Sequence, residues 1–218
     1  MHNNRIERIK NRDSNVMPRK ISGAGFNRKL RTTEGNISHT ATFIREGIGD
    51  FELPNYDISI GYRLVKSEKK EQYRLITVGD IPETVYLVEL KFRKDIILDR
   101  ITCTQIKVWR TISSIHKNVI RELPSLFFAY LLDTYCIMLT DEEHTDDGRR
   151  FWESMIDWAF NTQYYVYTSD GTVEDRPLTV IKNMNDFYTN WSDLFWGNDI
   201  DIHTHRLIAI SKIPLISR

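Results

Sequence analysis

Four segments of strand length follow one another between about residue 60 and residue 110. Each is apolar or alternates apolar with polar residues, and they read IGYRLV, QYRLITV, TVYLVELKF and RITCTQIKVWR. Such patterns are typical of β-strands. The stretches that separate them are short, as turns between antiparallel neighbours are, and read EKKE, GDIP and KDIILD. The chain is therefore predicted to build an antiparallel meander.

Helices and strands alternate after the meander. NVIRELPSLFFAYLLDTY has apolar residues at helical spacing, and Pro124 is tolerated near the start of a helix. CIMLT is a continuously apolar strand of the kind buried on both faces. GRRFWESMIDWAF predicts an amphipathic helix, and YYVYT and HRLIAISKIPL predict closing strands. At 218 residues and 41% hydrophobic composition, the chain can bury one sizeable core.

The N-terminal stretch differs from the rest in charge. It has nine basic residues up to Arg31 against Glu7 and Asp13, a net charge of +7. The basic residues are Arg5, Arg8, Lys10, Arg12, Arg19, Lys20, Arg28, Lys29 and Arg31. Because few large apolar residues accompany them, we predict a basic extended arm and linker over residues 1–55. The arm is either a disordered tail or a segment that orders on a protein or nucleic-acid partner.

The overall charge and the cysteine content narrow the classes of protein to which the chain can belong. Thirty basic and thirty acidic residues cancel, which argues against a surface that coats nucleic acid as a whole. Cys103 and Cys136 lie in apolar strand-like segments, so we predict buried free thiols. The cysteines lack zinc-site spacing, and the sequence contains neither a signal peptide nor a membrane-spanning run.

One loop of the second half carries a family resemblance. After a strand, a helix and a second strand, the chain reads TDEEHTDDGRRFW. This resembles the GNAT-fold acetyltransferase-like proteins encoded by tailed bacteriophages, where SD, two residues, QT, two residues, G and then W commonly follow the fifth strand. The similar span, from about Ile101 to Asp170, is about a third of the chain, and ISK near the C-terminus is also similar. The resemblance implies host cytoplasm or virion as the location.

The resemblance also implies a fold. It is an α/β (α+β) fold over residues 56–218: a GNAT-like, mostly antiparallel central sheet with a splayed centre, flanked by helices. The acids that follow CIMLT would then lie at the end of a buried strand and the start of a helix, where the helix dipole favours negative charge. Asp146 or Asp147 is the predicted helix cap.

The sequence departs from the family at the acyl-CoA loop. GNAT enzymes hold the cofactor's pyrophosphate with a glycine-containing loop before a long helix, whose backbone N–H groups face the phosphates. The corresponding stretch here is HKNVIRELPSL, without glycine, and it places Ile120, Glu122 and Pro124 at or near those positions. Lys117 and Arg121 could replace some of the lost donors if acetyl-CoA binds.

A metal-dependent nuclease is a further alternative. Asp80, Glu89 and Lys91 have the outline of a PD-(D/E)xK site, in which two carboxylates hold a divalent metal and a lysine orients water. A solvated strand face explains the same residues, and such nucleases are expected to continue with a helix. Here another strand, RITCTQIKVWR, is predicted next.

Two other patterns have both a structural and a functional interpretation. NDIDIHTHR places Asp199, Asp201, His203 and His205 on one side of an extended segment, which suits either a metal site or the wet face of an edge strand. FYTNWSDLFWG has aromatic residues at helical spacing, which core packing or an exposed partner surface would explain. We favour the structural interpretation of both.

These patterns together lead to a functional hypothesis. The chain is expected to be a phage protein that keeps a GNAT scaffold, has lost acetyl transfer, needs no cofactor and binds a phage structural or host protein. Its use would be in the virion or in host takeover. Nucleic acid could bind the basic arm, and no membrane partner is expected. The alternative is an active acetyl-CoA-dependent N-acetyltransferase.

Overall fold

A nine-stranded sheet forms the centre of the structure, a computed structural model that describes residues 19–20, 28–97, 100–139, 143–144, 146–170, 177–196 and 206–215. The strands of the described part are β1 (Arg19–Lys20), β2 (Ile48–Asp50), β3 (Tyr62–Ser67), β4 (Gln72–Thr77), β5 (Thr84–Ile97), β6 (Arg100–Arg110), β7 (Cys136–Leu139), β8 (Glu143–His144), β9 (Tyr165–Asp170), β10 (Leu178–Ile181) and β11 (Arg206–Ser211). β1 and β8 pair only with each other, and the rest form the sheet.

The strand order of the sheet is β10-β9-β11-β7-β6-β5-β4-β3-β2. Every neighbouring pair is antiparallel except β6 and β7, which are parallel. Strands β3 to β6 form the predicted meander, since each pairs with the next along the chain, and β2, which was not predicted, adds a strand beside β3. The structure therefore confirms a mixed α/β fold with a mostly antiparallel sheet and helices.

Helices cover the sheet and connect its parallel strands. They are α1 (Arg28–Arg31), α2 (Thr33–Arg45), α3 (Lys117–Ile120), α4 (Leu123–Leu132), α5 (Asp146–Asn161), α6 (Met184–Asp186) and α7 (Ser192–Phe195). A 3-10 turn, Ser114–His116, precedes α3, and a π-helical turn, Phe187–Trp191, joins α6 to α7. The predicted helices after the meander are therefore confirmed.

Helix α5 forms because its apolar residues fall on one side. Trp152, Met155, Ile156 and Ala159 are buried, and the helix packs against α4 and β9. Asp146 and Asp147 lie in the first turn rather than at the cap, so the predicted cap is wrong by position. Both acids still lie at the positive end of the helix dipole.

The aromatic segment near the end of the chain packs mainly in the core. Phe187 and Phe195 are fully buried and their rings stack with centroids 6.4 Å apart. Trp196 is also buried, whereas Tyr188 is exposed. Core packing is thus the correct explanation for the predicted aromatic pattern at these positions, and Tyr188 is its exception.

The cysteines are buried free thiols, as predicted. Cys103 lies in β6 and Cys136 in β7, and burial raises the pKa of Cys103 to about 12. Burial also raises the pKa of Cys136, although a hydrogen bond from its thiol to Ser211 opposes the shift. Neither thiol is therefore ionised near neutral pH.

The predicted boundary of the N-terminal arm at residue 55 is corrected. Residues 33–45 form helix α2, capped by the Thr32 hydroxyl, which accepts a hydrogen bond of 3.2 Å from the Gly35 N–H. Asn36, Thr40 and Phe43 of this helix are buried. Residues 28–55 therefore belong to the folded domain. Residues 1–18 and 21–27, which include Arg5, Arg8, Lys10 and Arg12 of the predicted basic arm, lie outside the described residues.

Replacing Trp152 tests the packing of α5. Trp152→Ala should lower the free energy of unfolding by about 3–5 kcal/mol, because the buried ring contacts Phe128 with centroids 5.6 Å apart. Asp147→Ala should change it by only about 0.5 kcal/mol, because that carboxylate is exposed and lies 3.8 Å from Arg150. Urea denaturation measures both variants. Equal effects would contradict the assigned helix face.

Candidate functional site

The two parallel strands lie next to each other in the middle of the sheet. Among the described residues, β6 and β7 pair at Thr102 with Cys136 and at Cys103 with Ile137. On their other edges β7 pairs with β11 and β6 pairs with β5. Ligands of open α/β sheets bind near the carboxyl ends of the strands, so the candidate site lies at this end of β6 and β7.

The chain between β6 and α4 passes over the meander in a helical path. After the 3-10 turn and α3, Arg121 and Glu122 keep right-handed helical dihedral angles, and α4 begins directly behind them. The Leu126 N–H donates to the Glu122 carbonyl, and Pro124 supplies no N–H to the first turn of α4. The chain thus follows a helical path over residues 117–122 directly into α4.

Lys117 and Arg121 are both exposed on this helical path. They lie four residues apart, so they share one face of the helical path. Arg121 is 3.8 Å from the carboxylate of Glu122, which adds negative charge beside any phosphate bound there. The pair could attract an anion from solution but does not form an enclosed site.

A tyrosine and a histidine meet beside this path. The Tyr62 hydroxyl and the Nδ1 atom of His116 share a hydrogen bond of 2.8 Å, and the rings meet edge to face. Nearby, the Tyr56 hydroxyl donates to the Val119 carbonyl at 2.8 Å. Burial raises the pKa of Tyr56 to about 12, and the charge interaction with Tyr62 is the smaller cause of the same shift. The Tyr62–His116 pair has the groups needed to pass a proton. Sequence spacing does not relate the two residues, because 54 positions separate them.

The predicted nuclease residues do not come together. Gln72 pairs with Glu89 at one end of the β4–β5 hairpin, whereas Asp80 lies in the turn at the other end. Five strand residues from Thr84 to Glu89 span about 16 Å, which is too far for two ligands of one metal ion. This separation contradicts the nuclease alternative. Among the described residues no group of three or more His, Cys, Asp or Glu side chains could hold a metal ion.

Glu89 instead takes part in a charged surface groove of about 260 Å³. Its carboxylate accepts a hydrogen bond from Gln72 and lies 3.7 Å from the ammonium of Lys107. Lys91, the predicted third nuclease residue, also lines the groove and is exposed. These residues therefore form a solvated strand face, which is the structural explanation predicted from the sequence.

Arg74 is a buried cation that sequence analysis missed. It is only 2% exposed, and its guanidinium lies 3.9 Å from the centroid of the Phe43 ring. It donates to Gln72 at 2.9 Å and 2.6 Å, to Thr84 at 3.2 Å and to His39 at 3.0 Å. Burial lowers its pKa to about 10, and Glu89 opposes that shift. The guanidinium therefore stays charged, held by neutral partners and an aromatic ring.

The same network attaches α2 to the sheet. The Asn36 amide donates to the Thr84 carbonyl at 2.9 Å, and its oxygen accepts from the Thr84 N–H at 2.8 Å. The Thr40 and Thr84 hydroxyls lie 2.7 Å apart. Asn36 thus pairs with Thr84 as a neighbouring peptide group would. A satisfied buried network of this kind fixes the position of the helix.

Several predicted site residues cannot be placed in this geometry. Asp199, Asp201, His203 and His205, like the arm residues Arg5, Arg8, Lys10 and Arg12, lie outside the described residues. Arg19 and Lys20 form β1, which pairs in parallel with Glu143 and His144. Arg28 lies in α1, and Lys29 and Arg31 of the same helix are exposed.

The chain matches no known protein family, no curated protein and no solved structure. In the part of the chain that the structure describes, no helix combines the length and apolar character needed to cross a membrane.

Protonation of His39 should loosen the attachment of α2. Burial lowers the pKa of His39, with Arg74, Lys29 and Lys70 lowering it further and Glu46 opposing them. The histidine's contribution to stability is therefore complete above the unfolded pKa of about 6.5 and is lost as pH falls through the lower folded value. His39→Gln, which keeps an acceptor for Arg74, should make the loss of unfolding free energy between pH 7 and pH 5 shallower. Denaturation at several pH values tests this, and identical slopes would contradict it.

Proposed function

We propose that the chain is a phage-encoded protein that keeps a GNAT-like scaffold, has lost acetyl transfer and binds a protein partner in the virion or during host takeover. The observation that carries the proposal is the helical path between β6 and α4. The family resemblance expects a glycine-containing phosphate loop there, whereas residues 117–122 contain no glycine and follow a helical path.

The strand plan supports the scaffold part of the proposal. A mostly antiparallel sheet contains one parallel pair, β6 and β7, joined through helix α4, with a ladder of two residue pairs among the described residues. One short parallel pair inside a mostly antiparallel sheet is consistent with the scaffold that the resemblance implies. Helix α5 follows β7 and contains the tryptophan of the similar loop, which is buried.

The residues of the helical path do not fit an acyl-CoA pyrophosphate. A phosphate nest forms where successive residues alternate right- and left-handed dihedral angles, whereas Arg121 and Glu122 are both right-handed. The exposed carboxylate of Glu122 would repel the phosphates, and Pro124 removes one donor. Lys117 and Arg121 provide charge without such a nest.

Partner binding is assigned to the surface and the basic arm. The polar groups of the interior serve the fold, as the buried Arg74 network shows. A net charge of +7 in the first 31 residues of a chain whose total net charge is zero suits docking on an acidic protein surface. Nucleic acid is the other anionic partner that this arm could bind.

An active N-acetyltransferase is the second candidate function. The Tyr62–His116 hydrogen bond favours it, because a pair that can pass a proton lies next to the helical path. If this candidate is correct, Tyr62→Phe and His116→Gln should each lower the acetylation rate and leave acetyl-CoA affinity unchanged.

Acetyl-CoA should leave the thermal stability of the protein unchanged. A ligand that binds only the folded state stabilises it by RT ln(1 + [L]/Kd), so a site lost by the changes above should shift the melting temperature at millimolar acetyl-CoA by less than about 1 °C. Differential scanning fluorimetry measures the shift. A saturable rise of several degrees would overturn the loss of acetyl transfer and favour the second candidate.

Removal of the arm should abolish partner association without unfolding the domain. Deleting residues 1–18 should change the melting temperature by about 2 °C at most, because the deleted stretch has few large apolar residues to contribute to the core. Pull-down from phage-infected cells reads out the association.

A length-matched variant separates charge from chain length. Replacing Arg5, Arg8, Lys10 and Arg12 with glutamine should have the same effect as the deletion, because the cations are assigned the docking role. Undiminished association of both variants would contradict the role of the arm. Recovery of nucleic acid instead of protein would change the class of partner.

A further inference from the structure

One end of the meander exposes six large β-branched side chains. β3 and β5 begin at this end and β4 and β6 finish there, as the pairing of Tyr62 with Thr77 and of Tyr86 with Arg110 requires. We call the three connections there, residues 51–61, 78–83 and 111–117, the tip. Its exposed apolar residues are Ile58, Ile60, Val78, Ile81, Ile112 and Ile115.

The tip connections are tied to the sheet and to one another. The Val78 N–H donates to the Gly61 carbonyl at 2.8 Å, which joins two of the connections. The Thr111 N–H donates to the Val85 carbonyl at 3.0 Å, at the start of the third connection. The hydrogen bond between Tyr62 and His116 holds the residue next to Ile115. The apolar side chains are thus presented on a supported backbone.

The opposite end of the same strands shows that this exposure is not needed to make turns. The β3–β4 connection there consists of the charged residues 68–71, Glu-Lys-Lys-Glu. At the tip, in contrast, Ile60 and Ile112 are fully exposed. Contiguous exposed apolar residues rimmed by polar ones mark interaction sites, because solvating them is unfavourable.

The charge of the tip selects the partner. Its three connections contain the acids Glu52, Asp57, Asp80 and Glu83, and Lys117 is their only basic residue. Among the described residues none of these four acids forms an ion pair. An anionic lipid surface or a nucleic acid would meet like charge here, whereas a cationic segment would meet opposite charge.

We propose that the tip is a docking surface for a basic, apolar-sided segment of a partner protein, with the isoleucines as anchors and the four acids as an orienting rim. This proposal rests on the proposed protein-binding function. It adds a second contact area, whose charge is opposite to that of the cationic arm. The arm would meet acidic surface and the tip would meet basic surface.

A displayed library of random dodecapeptides is the probe. Peptides that the full chain selects should combine Lys or Arg with Ile, Leu or Val. Their affinity should fall at least tenfold in the double variant Ile60→Ser/Ile112→Ser. Asp80→Asn/Glu83→Gln should weaken binding at low salt and reduce its salt dependence, because screening acts on the charge contribution. Fluorescence anisotropy with one selected peptide measures these constants.

Matched controls keep the result interpretable. Val180→Ser removes an exposed β-branched residue from β10, away from the tip, and should leave peptide affinity unchanged. All replaced tip residues are exposed, so melting temperatures should stay within about 2 °C of the parent, and thermal melts verify this.

Several outcomes would overturn the assignment. They are peptides without basic residues, equal affinity in the isoleucine double variant, self-association that the same variant abolishes, or binding to vesicles of anionic phospholipid in place of peptide. Failure here is distinguishable from failure of the proposed function. Arm deletion would still abolish partner association if only the tip assignment is wrong, whereas saturable acetyl-CoA binding concerns the proposed loss of acetyl transfer alone.

Discussion

Helix α4 is the element on which the rest of the structure depends, because two adjacent phenylalanines on it bind different parts of the fold. The Phe127 ring contacts those of Phe51, Tyr73 and Tyr86 in the meander half. The Phe128 ring contacts those of Phe151, Trp152 and Trp158 on α5. Both phenylalanines are fully buried. Since α4 also connects β6 to β7, its packing determines where β7 and everything after it joins the sheet.

This packing role explains why the start of α4 differs from a phosphate-binding helix. A helix that receives a ligand must leave its first N–H groups open, whereas α4 follows a helical turn and begins with a buried Leu123. The same chain path places His116 against Tyr62 and Val119 against Tyr56. These hydrogen bonds attach the helical path to the tip. The interior therefore provides rigidity, and the features suited to recognition lie on exposed connections.

The elements that sequence analysis predicted correctly are those with apolar periodicity. Strands β3 to β7 and helices α4 and α5 bury Leu, Ile, Phe and Trp, whose spacing is visible in the sequence. Helix α2 buries Asn36, Thr40 and a single phenylalanine, so it carries little apolar pattern and the sequence alone predicts a linker there. The separation of Asp80 from Glu89 and the contact of Tyr62 with His116 depend on hairpin register and chain path. Spacing along one sequence contains neither.

The attachment of α2 shows what a polar interface contributes that an apolar one does not. Phe43, Val65 and Ile76 form only a small apolar cluster beneath the helix, so apolar contact alone would allow it to shift. Asn36 hydrogen-bonds to both backbone groups of Thr84, and a shift of one residue would leave all of these buried groups unsatisfied. Arg74 adds a charge that must keep its contacts with Gln72 and His39. This network therefore fixes the position of α2 on the sheet.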